Sequence, residues 1–150
     1  MECVIGRRNL LLSAGAVVAA SVTSASLVSA ADEPAERPKG DHQPLVDAAR
    51  TCSSDGQACL AHCLAMFKSG DTSLAACAQS VSEMIPACSA VAQLATLGAA
   101  RLGEFATACR AVCEDCEKEC RKHAETHAVC KACADSCARF VSEAKLLSTA

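Results

Sequence analysis

From Pro44 onward the apolar residues recur every three or four positions, which is the spacing of one face of an α-helix, and no stretch alternates as a strand does. The pattern predicts four helices. The first runs from about Pro44, a residue suited to a first helical turn, to Ser69, with Gly70 as its stop. Leu45, Ala49, Cys52, Cys59, Cys63 and Met66 share its inward face, and Gly56 is a weak point where it is expected to bend or split. The second begins at Asp71 or Thr72, both good N-caps, and reaches about Leu97. Its inward residues are Cys77, Val81, Met84, Cys88, Val91 and Ala95, and Pro86 is expected to kink it by removing a backbone donor. The third spans roughly Ala100 to Lys122, with Leu102, Phe105, Cys109, Cys113, Cys116 and Cys120 along its seam. The fourth spans about Thr126 to Leu147 and carries Cys130, Cys133, Cys137, Phe140, Val141 and Ala144.

Four helices of about 20–26 residues with short connections specify an all-α fold, an antiparallel up-down-up-down four-helix bundle with a cysteine-lined core. That topology sorts the residues between two ends. The end holding the first and third connections receives Cys63, Met66, Cys77, Cys120 and Cys130, together with His62, His123 and His127. The other receives Leu45, Leu94, Leu97, Leu102, Phe105, Phe140, Val141 and Leu147. One end is therefore expected to be an apolar plug, the other a mouth ringed by His, Met and Cys.

Composition sharpens this picture. The 150 residues suffice for one domain, yet they include no Trp, no Tyr and only 3 Phe, so Ala, Leu and Cys must fill the core. Thirteen Cys exceeds the fraction that marks a disulfide scaffold or a metal-cluster protein. The formal charge of −3 and the lack of a Lys/Arg block argue against a nucleic-acid partner.

The first 30 residues read as an export signal of the twin-arginine kind. Arg7-Arg8 precedes a weakly apolar run interrupted by Gly and Ser, and small residues lead up to cleavage after Ala30 or Ala31. Cys3 departs with the signal, leaving twelve thiols and a periplasmic location for the mature chain. No later segment is apolar enough to span a membrane. Residues 31–43 are polar, contain Pro and Gly, and form a flexible leader, so the domain occupies 44–150.

The thiols admit several chemistries. An exported chain rich in Cys is commonly a disulfide-stapled scaffold. Against that, i,i+4 side chains on a helix stand about 5–6 Å apart at Cβ, and a disulfide needs about 3.5–4.5 Å. Cys59–Cys63, Cys109–Cys113, Cys116–Cys120 and Cys133–Cys137 therefore cannot close without breaking a helix, although bridges between helices, such as Cys120–Cys130, remain open. Redox catalysis is suggested by Cys113-x-x-Cys116 and Cys130-x-x-Cys133, but both lie inside helical sequence rather than at a helix start beside a sheet. A di-iron bundle needs Glu-x-x-His, which the sequence lacks. One zinc could sit across the third connection on Cys120, His123, His127 and Cys130. Cu(I) suits the stripes best, being soft and selecting thiolate and thioether. If each thiolate bridges two ions and each ion takes two thiolates, about twelve ions fill the core and the buried charges cancel.

Four segments together, C-x6-C-x2-HC-x2-M (Cys52 to Met66), AC-x10-C (Cys77 to Cys88), VC-x2-C-x3-C-x-K (Cys113 to Lys122) and CKAC-x3-C (Cys130 to Cys137), resemble the bacterial copper storage proteins (Csp family). The resemblance covers about Leu45 to Ala144. It implies a non-enzymatic four-helix bundle whose core cysteines hold many Cu(I) ions, a twin-arginine signal in exported members, and a homotetramer. Carried onto this chain, Cys52, Cys59, Cys63, Cys77, Cys88, Cys113, Cys116, Cys120, Cys130, Cys133 and Cys137 are core ligands. His62 and Met66 fall where the family places ligands at the open end. Cys109 is an additional seam thiol, Leu74 stands where some members have Met, and Phe140 and Ala144 occupy positions that often carry Cys. Capacity is therefore expected to be lower than in a fuller member and shifted toward the mouth. The alternatives are a disulfide-stapled helical module and a zinc-binding or copper-chaperone variant.

Overall fold

The computed structural model describes residues 42–147. The export signal and nearly all of the leader lie outside them. Four helices follow in order: α1 (Gln43–Lys68), α2 (Ala75–Thr96), α3 (Leu102–Arg121) and α4 (Ala128–Leu147). Each packs against its two neighbours around a ring, α1 on α2 and α4, α3 on α2 and α4. Among the described residues the backbones of the diagonal pairs, α1 with α3 and α2 with α4, stay apart. This is the antiparallel bundle that short connections impose, and it leaves the axis to side chains alone.

The first two connections are built by glycine. Gly70 (φ 89°) and Gly98 (φ 61°) adopt the left-handed conformation that an L side chain avoids. After α1, Gly70 N–H donates to Phe67 O at 3.0 Å and Asp71 N–H to Met66 O at 3.1 Å. After α2, Gly98 N–H donates to Ala95 O at 3.2 Å and Ala99 N–H to Leu94 O at 3.0 Å. Both are Schellman closures, which satisfy the last carbonyls and reverse the chain.

Several boundary and packing expectations need correction. Asp71 does not cap α2. It is consumed by the Schellman turn, and its carboxylate accepts from Ser73 N–H at 2.8 Å. Leu74 takes the N-cap position without a side-chain cap and is wholly buried instead. Gly56 does not split α1, which is one helix through it. Its role is steric: a Cβ there would lie 2.5 Å from Met84 Cε and 3.0 Å from Ile85 Cγ1. α2 likewise continues through Pro86, whose ring faces outward.

The plug is real but smaller than expected. Leu45, Leu102, Phe140 and Val141 are buried, and Leu94 and Leu147 pack partly against them. Phe105, placed on the seam from the sequence, is 51% exposed, and Leu97 is 78% exposed. The reason is angular. The α3 seam runs Leu102, Ala106, Cys109, Cys113, so Ala106 takes the inward place and Phe105 is rotated off it by one residue. Leu97 lies past the last turn of α2, beside Gly98, where the chain has already left the core.

This packing separates the two aromatic rings energetically. Phe140→Ala should cost about 3–5 kcal/mol of stability, whereas Phe105→Ala should stay within about 0.5 kcal/mol. Urea denaturation of the two reduced variants, followed by helical circular dichroism, measures both.

Candidate metal centre

Helical spacing turns every one of the twelve domain cysteines toward the axis. All twelve are free and buried, and only Cys109, at 4%, has any exposure. Neighbouring helices bring the sulfur atoms into one connected column. Toward the plug, Cys88 Sγ lies 3.7 Å from Cys109 and 3.4 Å from Cys113. In the middle, Cys52 Sγ is 3.5 Å from Cys137 Sγ. Toward the mouth, Cys59 is 3.8 Å from Cys77 and 3.7 Å from Cys130, and Cys77 is 3.4 Å from Cys120. These separations are van der Waals and S–H···S contacts, far beyond the about 2.05 Å of a disulfide bond.

Four groups of three have all their sulfur atoms within 4.8 Å of one another: Cys52/Cys88/Cys113, Cys59/Cys63/Cys77, Cys59/Cys120/Cys133 and Cys116/Cys133/Cys137. Each of the four helices contributes. Among the described residues, no His, Asp or Glu enters any of these groups. The donor set is uniformly soft, which suits Cu(I) and leaves no carboxylate or water-bearing position of the kind hard cations use. The twelve thiols named from the sequence are thus all brought together.

The protons within the column are shared unequally. Cys52 sits well below the ordinary thiol range because Cys113, Cys137 and Cys88 donate to it. Cys59 is lowered by donation from Cys120, Cys133 and Cys77, and Cys116 by donation from Cys120, Cys133 and Cys137. The donors are correspondingly held in the protonated state: Cys113 is raised, chiefly by its bond with Cys109, and Cys120 and Cys133 chiefly by theirs with Cys116. Cys109 is drawn down to about 5 by the Cys113 and Cys88 thiols. At the mouth end burial dominates. It pushes Cys63 up to about 12, with the charges of Cys77 and Cys59 adding to it, and it raises Cys130 too. Each three-sulfur group thus contains one thiol favoured as the anion and two that keep their protons, so filling it with a cation means expelling protons.

The mouth is arranged differently from the column. His62 on α1 and His127, just before α4, are half-buried, with Nε2 and Nδ1 3.0 Å apart. This contact ties the third connection to α1. His123 is one step further out, its ring 6.4 Å from that of His127. Met66 is half-buried and packs against the edge of the core. His62 joins no three-ligand group of His, Cys, Asp and Glu atoms among the described residues. The zinc arrangement across the third connection does not assemble there either. Cys120 and Cys130 turn into the column, against Cys77 and Cys59, and His127 turns to His62.

One sulfur escaped the sequence reading as a donor. Met84 is wholly buried, and its Sδ lies 3.3 Å from Cys52 Sγ. Its place on the inward face of the second helix was legible. Its sulfur-to-sulfur contact depends on how close α1 and α2 come at Gly56, which only the packing reveals.

The raised thiols set the alkaline behaviour of the reduced, metal-free bundle. In the unfolded chain Cys63 ionises near 9.0, in the fold near 12, and Cys77 is pushed up to about 11. A raised thiol contributes its stability fully below the unfolded value and loses it as pH climbs to the folded one. Cys52, Cys59, Cys109 and Cys116, which are lowered, are already ionised in the fold and lose their remaining unfolded-state protons just above 9.0, so over most of that window they add no slope. The urea midpoint should therefore fall steadily between pH 9 and 12, and a midpoint flat or rising over that range would contradict the proton assignment.

Comparison with known proteins places this geometry. No curated protein matches the chain in sequence. A family model described as "Copper storage protein" (Csp) matches residues 39–149, which takes in all four helices and every thiol of the column. The match spans well over half of the sequence, and the chain belongs to the Csp family of copper storage proteins.

Proposed function

We propose that this protein is an exported, non-enzymatic store for Cu(I), holding many ions on the thiolates of its axial column. The observation that carries the reading is the continuity of that column: twelve buried free thiols, from four helices, with sulfur contacts of 3.4–3.8 Å linking helix to helix. A chaperone needs few, exposed sites, whereas here the donors are numerous and interior. Each Cu(I) that binds forms bonds to sulfur and displaces protons, so charge stays balanced in the core. The proposed ligands are the twelve column thiols, with His62 and Met66 acting at the mouth. The plug of Leu45, Leu102, Phe140 and Val141 closes the other end, so ions pass by way of the mouth.

The experiment is an anaerobic Cu(I) titration of the reduced mature chain against a chromophoric chelator, with the released protons counted in parallel. Uptake of about ten or more ions per chain, with roughly one proton lost per thiol engaged, is expected for a thiolate store. Saturation at one or two ions would overturn it and favour a chaperone, a zinc site or a disulfide-stapled module.

Export by the twin-arginine route to the periplasm belongs to the same proposal, resting on Arg7-Arg8 and the small-residue run before Ala31. Transport in the folded state lets the thiols pack before they meet an oxidising compartment. Replacing both residues (Arg7→Lys, Arg8→Lys) should leave the full-length chain in the cytoplasm on fractionation, while the unaltered chain appears shortened in the periplasm. A homotetramer, as the family resemblance implies, completes the proposal.

A further inference from the structure

The sulfur column has a thirteenth member that is not a cysteine. On α2 the thiols Cys77 and Cys88 are separated by eleven positions, a rise of about 16 Å in a helix, and Met84 stands between them, one turn from Cys88 on the same inward face. Its side chain is wholly buried. Methionine is often a flexible filler of irregular core space, and a filler has no preferred direction for its sulfur. Here the direction is specific. Sδ faces Cys52 Sγ at 3.3 Å, closer than the 3.4–3.8 Å thiol–thiol contacts that link the helices. The methyl group lies on the side of Gly56, where even a Cβ would come within 2.5 Å of Cε. Gly56 therefore provides the space that lets the thioether reach the axis. Cys52 in turn belongs to the Cys52/Cys88/Cys113 group, whose sulfur atoms lie within 4.8 Å of one another.

We infer that Met84 is a metal ligand within the core, its thioether joining the Cys52/Cys88/Cys113 thiols in holding a soft monovalent ion. The chemistry fits the place. A thioether is soft like a thiolate but uncharged, so it adds a donor without adding a buried negative charge that a further cation must balance. Binding forms one S–Cu bond from a lone pair of Sδ and requires no proton to leave Met84. The inference rests on the Cu(I)-store reading for the identity of the ion.

The test uses selenium as a reporter. The chain has 3 methionines, Met1, Met66 and Met84. In a Met66→Leu protein grown on selenomethionine, selenium in the domain occupies position 84 alone. After loading with Cu(I), X-ray absorption at the selenium edge should show a copper neighbour, and the signal should be absent from a Met66→Leu/Met84→Leu control carrying selenium only at Met1. Selenium surrounded by carbon alone, in a sample whose copper edge shows a full thiolate load, would overturn this inference and leave the store intact. Uptake of only one or two ions by the unaltered chain, Met66 in place, would overturn both. The deciding measurement is made on a chain that retains Met84, so it does not depend on how well the Met84→Leu control folds.

Discussion

A neutral thiol packs like a small hydrophobe, whereas a thiolate in the same place needs a counter-charge or a donated proton. The core of this bundle is built on that duality. Twelve thiols fill the axis of a chain that has almost no aromatic residues with which to do so. Their protonated state lets four helices collapse around them without metal. Their ionised state is tolerated only where neighbouring thiols donate, as at Cys52, Cys59 and Cys116, or where cations take the protons' place. Fold and cargo site are therefore one set of atoms in two charge states.

This arrangement explains why the helices can stand around a ring with the diagonal backbones apart. A column of sulfur is narrow, uniform and polarisable, and it meets each helix at the three- and four-residue steps the sequence displays. At the plug end the same axis is filled by Phe140, Leu45 and Leu102, and no thiol follows Cys137 on α4. At the mouth the filling changes to half-buried His62, His127 and Met66. The gradient from carbon through sulfur to nitrogen runs along the bundle and gives it a direction.

Most of this was legible in the sequence, because its strongest signal, periodic Cys, is also the physical determinant of the core. The helices, their order, the glycine stop at Gly70, the inward face of every cysteine and the polarity of the two ends all follow from spacing. What was not legible depends on distances between helices or on competition between turn motifs. Phe105 was read as inward because it is apolar and close to the seam, but the angular slot belonged to Ala106. Asp71 is a good N-cap by type, yet the Schellman closure around Gly70 claimed it first and left Leu74 to be buried. Gly56 looked like a defect of α1, and its purpose appears only with Met84 and Ile85 against it. Met84 itself reads as ordinary core until the 3.3 Å contact with Cys52 is known.

The blind end formed by Phe140 and its neighbours gives the column a consequence for sequence in time. In a tube with a single opening, whatever enters first travels deepest and whatever lies deepest leaves last. Under the proposed function, ions lodged around Cys88 and Cys109 exchange only after those around Cys63 and Cys130 have gone. The bundle then behaves as a stack rather than a reservoir, with a labile outer portion and a slow inner reserve within a single chain.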